Sequence, residues 1–361
     1  METQIPSDSA TPATEPRVAG SLSDGREVRA WILSNGWGLA CEVLEYGGIL
    51  SRLWVPDRHG VAVDVLLGFD QLKDWEQQNQ SYFGVVAGRM AGRIPGGVLK
   101  IEGRGFQLAT NDHGNHLHGG LMGLDKRLWS GEAVTDGEGS VGVRLRYLSP
   151  DGEEGYPGEV TATVTYWLTR AGGLVFETEA VANRLTPVSL AQHGYFNLAG
   201  ESSGAATDHV VRIPSGEMMT TDGQMTPLGI AESVVGMAAD LRTGRRIGDV
   251  IPGLWKQHGD LYRLGREGEM KIAAQVTDPF SGREMQVTTT HGFMQFYTAA
   301  HLDGTVRGKG GVSYPRHAGL CFECQGYPDP GAGFGNPWVR PGAIQHHRTV
   351  YRFASAGEDL E

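Results

Sequence analysis

The sequence predicts an all-β chain, and three observations carry that prediction. Glycine supplies 54 of 361 residues, about twice the ~7% usage of average proteins, and its scatter without a repeat calls for many turns and short strands. Two central stretches alternate in strand period: Val141, Val143, Leu145 and Tyr147 against Gly142, Arg144, Arg146 and Leu148, then Val160, Ala162, Val164, Tyr166 and Leu168 against the residues between them. Only residues 70–80 in the first half read as a helix, and that helix is short. The length would admit two average domains, but large all-β folds exceed the usual domain size, and no linker divides the chain. The organisation expected is therefore a disordered tail over residues 1–16 and one domain over 17–361.

In order, the tail is rich in Ser, Thr, Pro and acidic residues, with no apolar stretch and no cationic leader, so neither a signal peptide nor an anchor is expected. Residues 28–33 and 39–44 flank Asn35-Gly36, a hairpin signal. Residues 46–55 continue as a strand after a glycine bend, and 61–67 as another. Residues 98–103 and 105–108 form a second hairpin. After the two alternating stretches, strands are expected over 174–183, 210–213, 217–221, 230–235, 271–277, 283–290, 293–299, 319–325 and 350–353. Turn residues separate them.

Composition excludes whole classes of partner. Lys and Arg number 31 against 42 Asp and Glu, giving a net charge of -11 with no basic cluster, which disfavours nucleic acid and anionic membranes. No run reaches the ~18 apolar residues of a membrane span. The three cysteines, Cys41, Cys321 and Cys324, imply no disulfide framework and fit a reducing, cytoplasmic location. Cys321 and Cys324 have the spacing of redox or zinc pairs, but on a strand they face opposite ways.

Four stretches hold candidate chemistry. In residues 319–325, Leu320, Phe322 and Cys324 share one strand face while Cys321, Glu323 and Gln325 share the other, so Glu323 is a carboxylate on a rigid support before a Gly-Tyr-Pro-Asp-Pro-Gly loop. A solvated strand glutamate is the plainer alternative. Residues 84–97 are glycine-rich and carry Arg89 and Arg93, whose planar forks can bind carboxylates or sugar hydroxyls. Without a Gly-Lys-Ser/Thr they do not read as a phosphate loop. Residues 110–120 hold His113, His116 and His118. The spacing admits a metal, yet the segment is too glycine-rich for a helix, and His118 before Gly119-Gly120 suits proton or hydrogen-bond chemistry where a ligand can come close. His193 lies between an alternating segment and an aromatic cluster, where burial would tune its pKa, or where it is simply a core histidine bonded to backbone.

Taken together, Gly92-Arg93-Ile94, Leu117-His118-Gly119-Gly120, residues 149–158, His193-Gly194-Tyr195-Phe196-Asn197-Leu198, Gln295-Phe296-Tyr297-Thr298, Leu302-Asp303-Gly304 and Glu323-Cys324-Gln325 resemble the aldose 1-epimerase (galactose mutarotase) family over residues 20–354. The resemblance implies a single large β-sandwich, the galactose mutarotase-like supersandwich, with a sugar cleft. It implies cofactor-free and metal-free conversion of one anomer of a free aldohexose to the other. By position it makes Glu323 the base that takes the C1 hydroxyl proton, His193 the acid at the ring oxygen, and His118 a catalytic-site residue that hydrogen-bonds near the ring oxygen or a neighbouring hydroxyl. Arg93, Asp260 and Gln295 would hold sugar hydroxyls. The chain departs from the family pattern at Gly92 and Gln192, where Asn is usual, and after Asp260, where the usual His is missing. The change at substrate-facing Gly92 bears on which sugar is preferred. A monomer or weak homodimer is expected.

Three other readings compete. A glycoside hydrolase would pair Glu323 with a second carboxylate such as Asp260. A non-catalytic sugar-binding sandwich would not need His118, His193 and Glu323 together. A phosphosugar epimerase would need a basic phosphate pocket that the sequence does not display.

Overall fold

A computed structural model describes residues 12–36, 38–223, 225–254 and 259–355. Strands hold 46% of the residues and helices 9%, so the all-β expectation stands. In chain order the strands of the large sheets are β1 (Ala13–Ser21), β2 (Glu27–Ser34), β3 (Ala40–Leu44), β4 (Leu50–Pro56), β5 (Ala62–Asp64), β6 (Ser130–Thr135), β7 (Val141–Ser149), β8 (Val160–Leu168), β9 (Gly173–Ala182), β10 (Tyr195–Phe196), β11 (Val210–Arg212), β12 (Glu217–Thr221), β13 (Pro227–Ser233), β14 (Arg245–Arg246), β15 (Asp260–Arg263), β16 (Lys271–Thr277), β17 (Arg283–Thr289), β18 (Phe293–Tyr297), β19 (Leu320–Gln325) and β20 (Ile344–Ser355). The expected early helix is α1, Leu72–Gln78.

Three sheets result. β1 to β5 form a meander in sequence order. A nine-stranded sheet runs β6-β7-β8-β9-β20-β17-β16-β11-β14, and a six-stranded sheet runs β10-β19-β18-β15-β12-β13. Neighbouring strands in all three are antiparallel. The alternation predicts which face is dry: Val143 and Leu145 of β7 and Val160, Ala162, Val164, Tyr166 and Leu168 of β8 are buried. They join Leu33, Val43 and Leu53 of the meander and Met294, Phe296, Leu320 and Phe322 of the six-stranded sheet in one core cluster. Each such side chain contributes roughly 1.5–3 kcal/mol by leaving water. The sheets are thereby pressed face to face, as in a sandwich.

The tail differs from expectation. Residues 13–16 belong to β1, which pairs with β2 from Ala13 opposite Ser34 to Ser21 opposite Glu27. An edge strand needs only its backbone to pair, so polar and exposed side chains, and even Pro16, are compatible with it. Residues 1–11 lie outside the described residues. The closing strand is also longer than its apolar centre suggests, because Ile344 to Thr349 pair with β9 and, from Thr349 onward, β17 flanks the other side.

Candidate active site

The platform is the middle of the six-stranded sheet. Gln295 lies directly opposite Glu323 on one side and Leu261 on the other, so these three side chains share a face. That face lines a cleft of about 260 Å³. The neighbouring row, Asp260, Phe296 and Phe322, points the other way, where Phe296 and Phe322 pack 5.3 Å apart in the core. Glu323 is thus fixed by the apolar residues on either side of it, and it is buried. The same alternation separates Cys321 from Cys324, both of which are buried free thiols. Asp260 does not join the site. Register places its side chain on the core face, and the cleft is lined at this strand by Gly259 and Leu261 instead. The sequence locates the strand but is one residue out on which side chain faces the cleft.

His193 sits in the short loop before β10. Its N–H donates to the Val85 carbonyl at 3.0 Å and its carbonyl accepts from Gly84 N–H at 2.9 Å. Gln192 braces the same loop: its Nε2 donates to the Gly84 carbonyl, and its Oε1 accepts from Gly194 N–H at 2.7 Å. Gln192 therefore holds the backbone on both sides of His193 and is absent from the cleft lining. The imidazole is stacked between Tyr195, at 5.2 Å and 16°, and Tyr82, at 6.0 Å and 21°. Its Nε2 lies 3.5 Å from Glu323 Oε2.

His118 completes the group. Gly92 N–H donates to His118 Nδ1 at 3.2 Å, so a neutral ring carries its proton on Nε2. The ring meets His193 edge-on at 5.2 Å and Tyr82 at 4.9 Å. The glycines after it serve a different approach from the one expected. A Cβ on Gly119 would lie 1.7 Å from the Gly88 carbonyl oxygen, and one on Gly120 would lie 2.2 Å from Glu154 Oε2. Backbone and loop, not ligand, come close there. With φ at +96° as well, Gly119→Ala should cost about 3 kcal/mol or more, adding backbone strain to overpacking. A urea midpoint that stays in place would show that the segment at Gly88 yields easily.

The other two histidines of this stretch go elsewhere. His116 is buried, with Nδ1 against the Ala109 carbonyl and Nε2 against the Tyr156 hydroxyl, both at 2.6 Å. His113 is exposed beside Asp112. Neither of them lines the cleft that holds His118. Tyr156 belongs to the loop 149–158, whose Glu154 accepts from the N–H groups of Leu121 and Met122. Arg89 anchors that loop by donating to Ser149 Oγ and to the carbonyls of Ser149, Pro150 and Gly158 at 2.8–3.0 Å. Of the two predicted arginine forks, Arg89 is structural and Arg93 lines the cleft, where its Nε donates to Asp112 Oδ2 at 2.6 Å. Gly92 lines the cleft too, with Pro328 filling the space a side chain would take.

Burial dominates the electrostatics. It pushes the Glu323 carboxyl up to about 8, a rise that the nearby Arg93 charge partly offsets. It pulls His193 down to about 3 and His118 well below its usual range. The sequence predicts an ionised carboxylate at pH 7. Burial instead favours a protonated Glu323 beside a neutral His193. This buried pair therefore holds one proton across a wide pH range.

His118, His193 and Glu323 each bring one ligand atom to within 4.8 Å of the others. An ion there would occupy the lone pairs that acid–base chemistry uses. A second such group, Glu267, His291 and His347, lies elsewhere. Its imidazoles stack at 4.1 Å and 15°, which directs their in-plane lone pairs side by side, and Lys271 donates to the His291 carbonyl. His347 Nε2 also lies 3.6 Å from Glu267 Oε1.

The structure adds Tyr82, Asp112, His301 and Gln325 to the lining. Tyr82, Asp112 and His301 lie in irregular segments where no period marks a facing side chain. Gln325 was legible, since it alternates onto the Glu323 face.

Comparisons with known proteins agree on one relationship. Residues 29–352 match the family described as Aldose 1-epimerase. The chain is 41% identical over 322 residues to galactose mutarotase of Mus musculus and 40% identical to that of Homo sapiens, covering 88% of this chain and 92% of each relative. It is 30% identical to aldose 1-epimerase of Escherichia coli, over 95% of this chain and 98% of that protein. The crystal structure of galactose 1-epimerase from Lactobacillus acidophilus superposes with a TM-score of 0.82 at 25% identity, covering 96% of this chain and all of that one.

Proposed function

Because the chain belongs to the aldose 1-epimerase family, we propose that Glu323 and His193 divide the acid–base work of its reaction. The protein is a carbohydrate epimerase that interconverts the α and β anomers of a free aldose. From the form of the pair in which its one proton has moved from Glu323 to His193, Glu323 takes the proton of the C1 hydroxyl as the C1–O5 bond breaks, and His193 gives its proton to O5. The open chain, an aldehyde with a free 5-hydroxyl, rotates about C1–C2. Reclosure on the other face returns the proton from Glu323 to O1 and the O5 proton to His193. No proton is gained or lost overall.

The observation that carries this reading is the apposition of the two groups, 3.5 Å apart at the floor of one cleft with His118 beside them. The burial that neutralises both adds to it. After ring opening Glu323 holds a proton and His193 is uncharged, which is the arrangement a poorly solvated cleft favours. Arg93 and Gln295 line the cleft within reach of hydroxyls, and Gly92 offers its N–H to His118. The hydrolase alternative loses its partner carboxylate, since Asp260 faces the core and Asp112 is paired with Arg93.

Polarimetry on freshly dissolved α-D-glucose and α-D-galactose tests the reading, and faster approach to equilibrium than in buffer is the expected result for at least one of them. The substrate class proposed is a free aldohexose. The pH profile is a second test. The one-proton pair loses its acid as pH rises through about 8 and loses its base only as pH falls toward about 3. kcat/KM, corrected for buffer, should be flat near neutrality and fall about tenfold per unit on the alkaline side. A rate that climbs through pH 9 would contradict the shared proton.

The described residues from 17 onward are proposed to form one domain, supported by a core cluster drawn from all three large sheets. A cytoplasmic setting is proposed from the three free thiols, with a monomer or weak homodimer as the working state. No described helix is long and apolar enough to cross a membrane.

A further inference from the structure

We propose that Gln325 is a specificity-determining residue that binds a sugar hydroxyl on the far side of the ring from the anomeric carbon. The inference rests on the acid–base reading of the same cleft and goes beyond it by naming the group that recognises the rest of the sugar. Gln325 follows Glu323 by two positions on β19, so both side chains leave the strand toward the cleft. Two residues of strand span about 6.6–6.8 Å, a distance that carries the contact from the reacting C1 across a pyranose to its distal hydroxyls.

The amide is 1% exposed, yet neither its Oε1 nor its Nε2 has a hydrogen-bond partner among the described residues. An amide held this way keeps a donor and an acceptor waiting for one ligand that supplies both. A hydroxyl does so: it accepts from Nε2 and donates to Oε1. Gly92 lets the amide and Pro328 pack beside it. A Cβ there would stand 3.0 Å from Gln325 Nε2 and 2.7 Å from Pro328 Cγ, so the glycine leaves the space in which the amide sits. A sugar lacking the matching hydroxyl would strand both amide atoms away from water, and sites built on hydrogen bonds reject such analogues strongly.

The experiment measures kcat/KM by polarimetry for the better of glucose and galactose and for its 2-, 3- and 4-deoxy analogues, using wild type and Gln325→Met. Wild type should discriminate against one deoxy analogue by about tenfold or more. Gln325→Met should lose at least tenfold on the parent sugar but little on that same analogue, erasing the discrimination. Gln325→Glu, which keeps an acceptor, should recover part of the loss if the variants fold alike by circular dichroism. Equal losses on the parent and on every deoxy analogue, or no loss at all, would overturn the proposal. Failure of wild type to accelerate anomer exchange in any parent sugar would instead overturn the acid–base reading beneath it.

Discussion

Glu323→Gln is expected to lower the enzyme-dependent rate of anomer exchange by roughly 10²–10⁴-fold, the range usual for loss of a positioned proton-transfer group. The substitution is close to isosteric, and the side chain keeps its register opposite Gln295, between the buried Phe322 and Cys324. What disappears is the ability to accept a proton. An amide in the same place also removes the buried carboxyl that burial pushes up to about 8, so stability should hold or rise slightly at alkaline pH. The sign follows from linkage: a buried acid with a raised pKa binds protons more tightly folded than unfolded, and its folded form is penalised as pH rises. Polarimetry and thermal melting on the same preparation separate the two effects. A variant with full rate would remove Glu323 from the mechanism.

His193→Ala should be comparably damaging, again by about 10²–10⁴-fold, because ring opening then lacks the acid proposed for O5. The variant also leaves a hole between Tyr82 and Tyr195, whose rings flank the imidazole. Loss of stability is therefore expected alongside loss of rate. His193→Phe provides the control that fills the stack without supplying a proton, and it should melt closer to wild type while remaining as slow. The double variant Glu323→Gln/His193→Phe is expected to be little slower than either single one, since the two residues act as a unit. Additive losses would mean that each works alone.

Much of this was legible in the sequence because strands write their faces in period two. The alternation through residues 319–325 gave Glu323 its direction, and the stretches 141–148 and 160–168 gave the core of the nine-stranded sheet. The mistake at Asp260 shows the limit. Its segment places an acid beside a strand start, but a one-residue change of register flips every side chain, and only the pairing with Phe296 settles the direction. His118 and the two glycines were found for a reason the structure revises, since the small residues accommodate Gly88 and Glu154. Tyr82 and His301 carry no periodic signal, and they enter the cleft only because the chain's irregular segments are folded over the same sheet.

The position of the closing strand has a consequence for how the molecule is made. Ile344–Ser355 lies between Gly173–Ala182 and Arg283–Thr289, near the middle of the nine-stranded sheet. Until residues 344–355 have been made, the sheet exists as two separate edges, each with unpaired backbone. Synthesis therefore cannot deliver a working half-product, and truncations from the C-terminal end that remove this strand should yield aggregates instead of weaker enzymes.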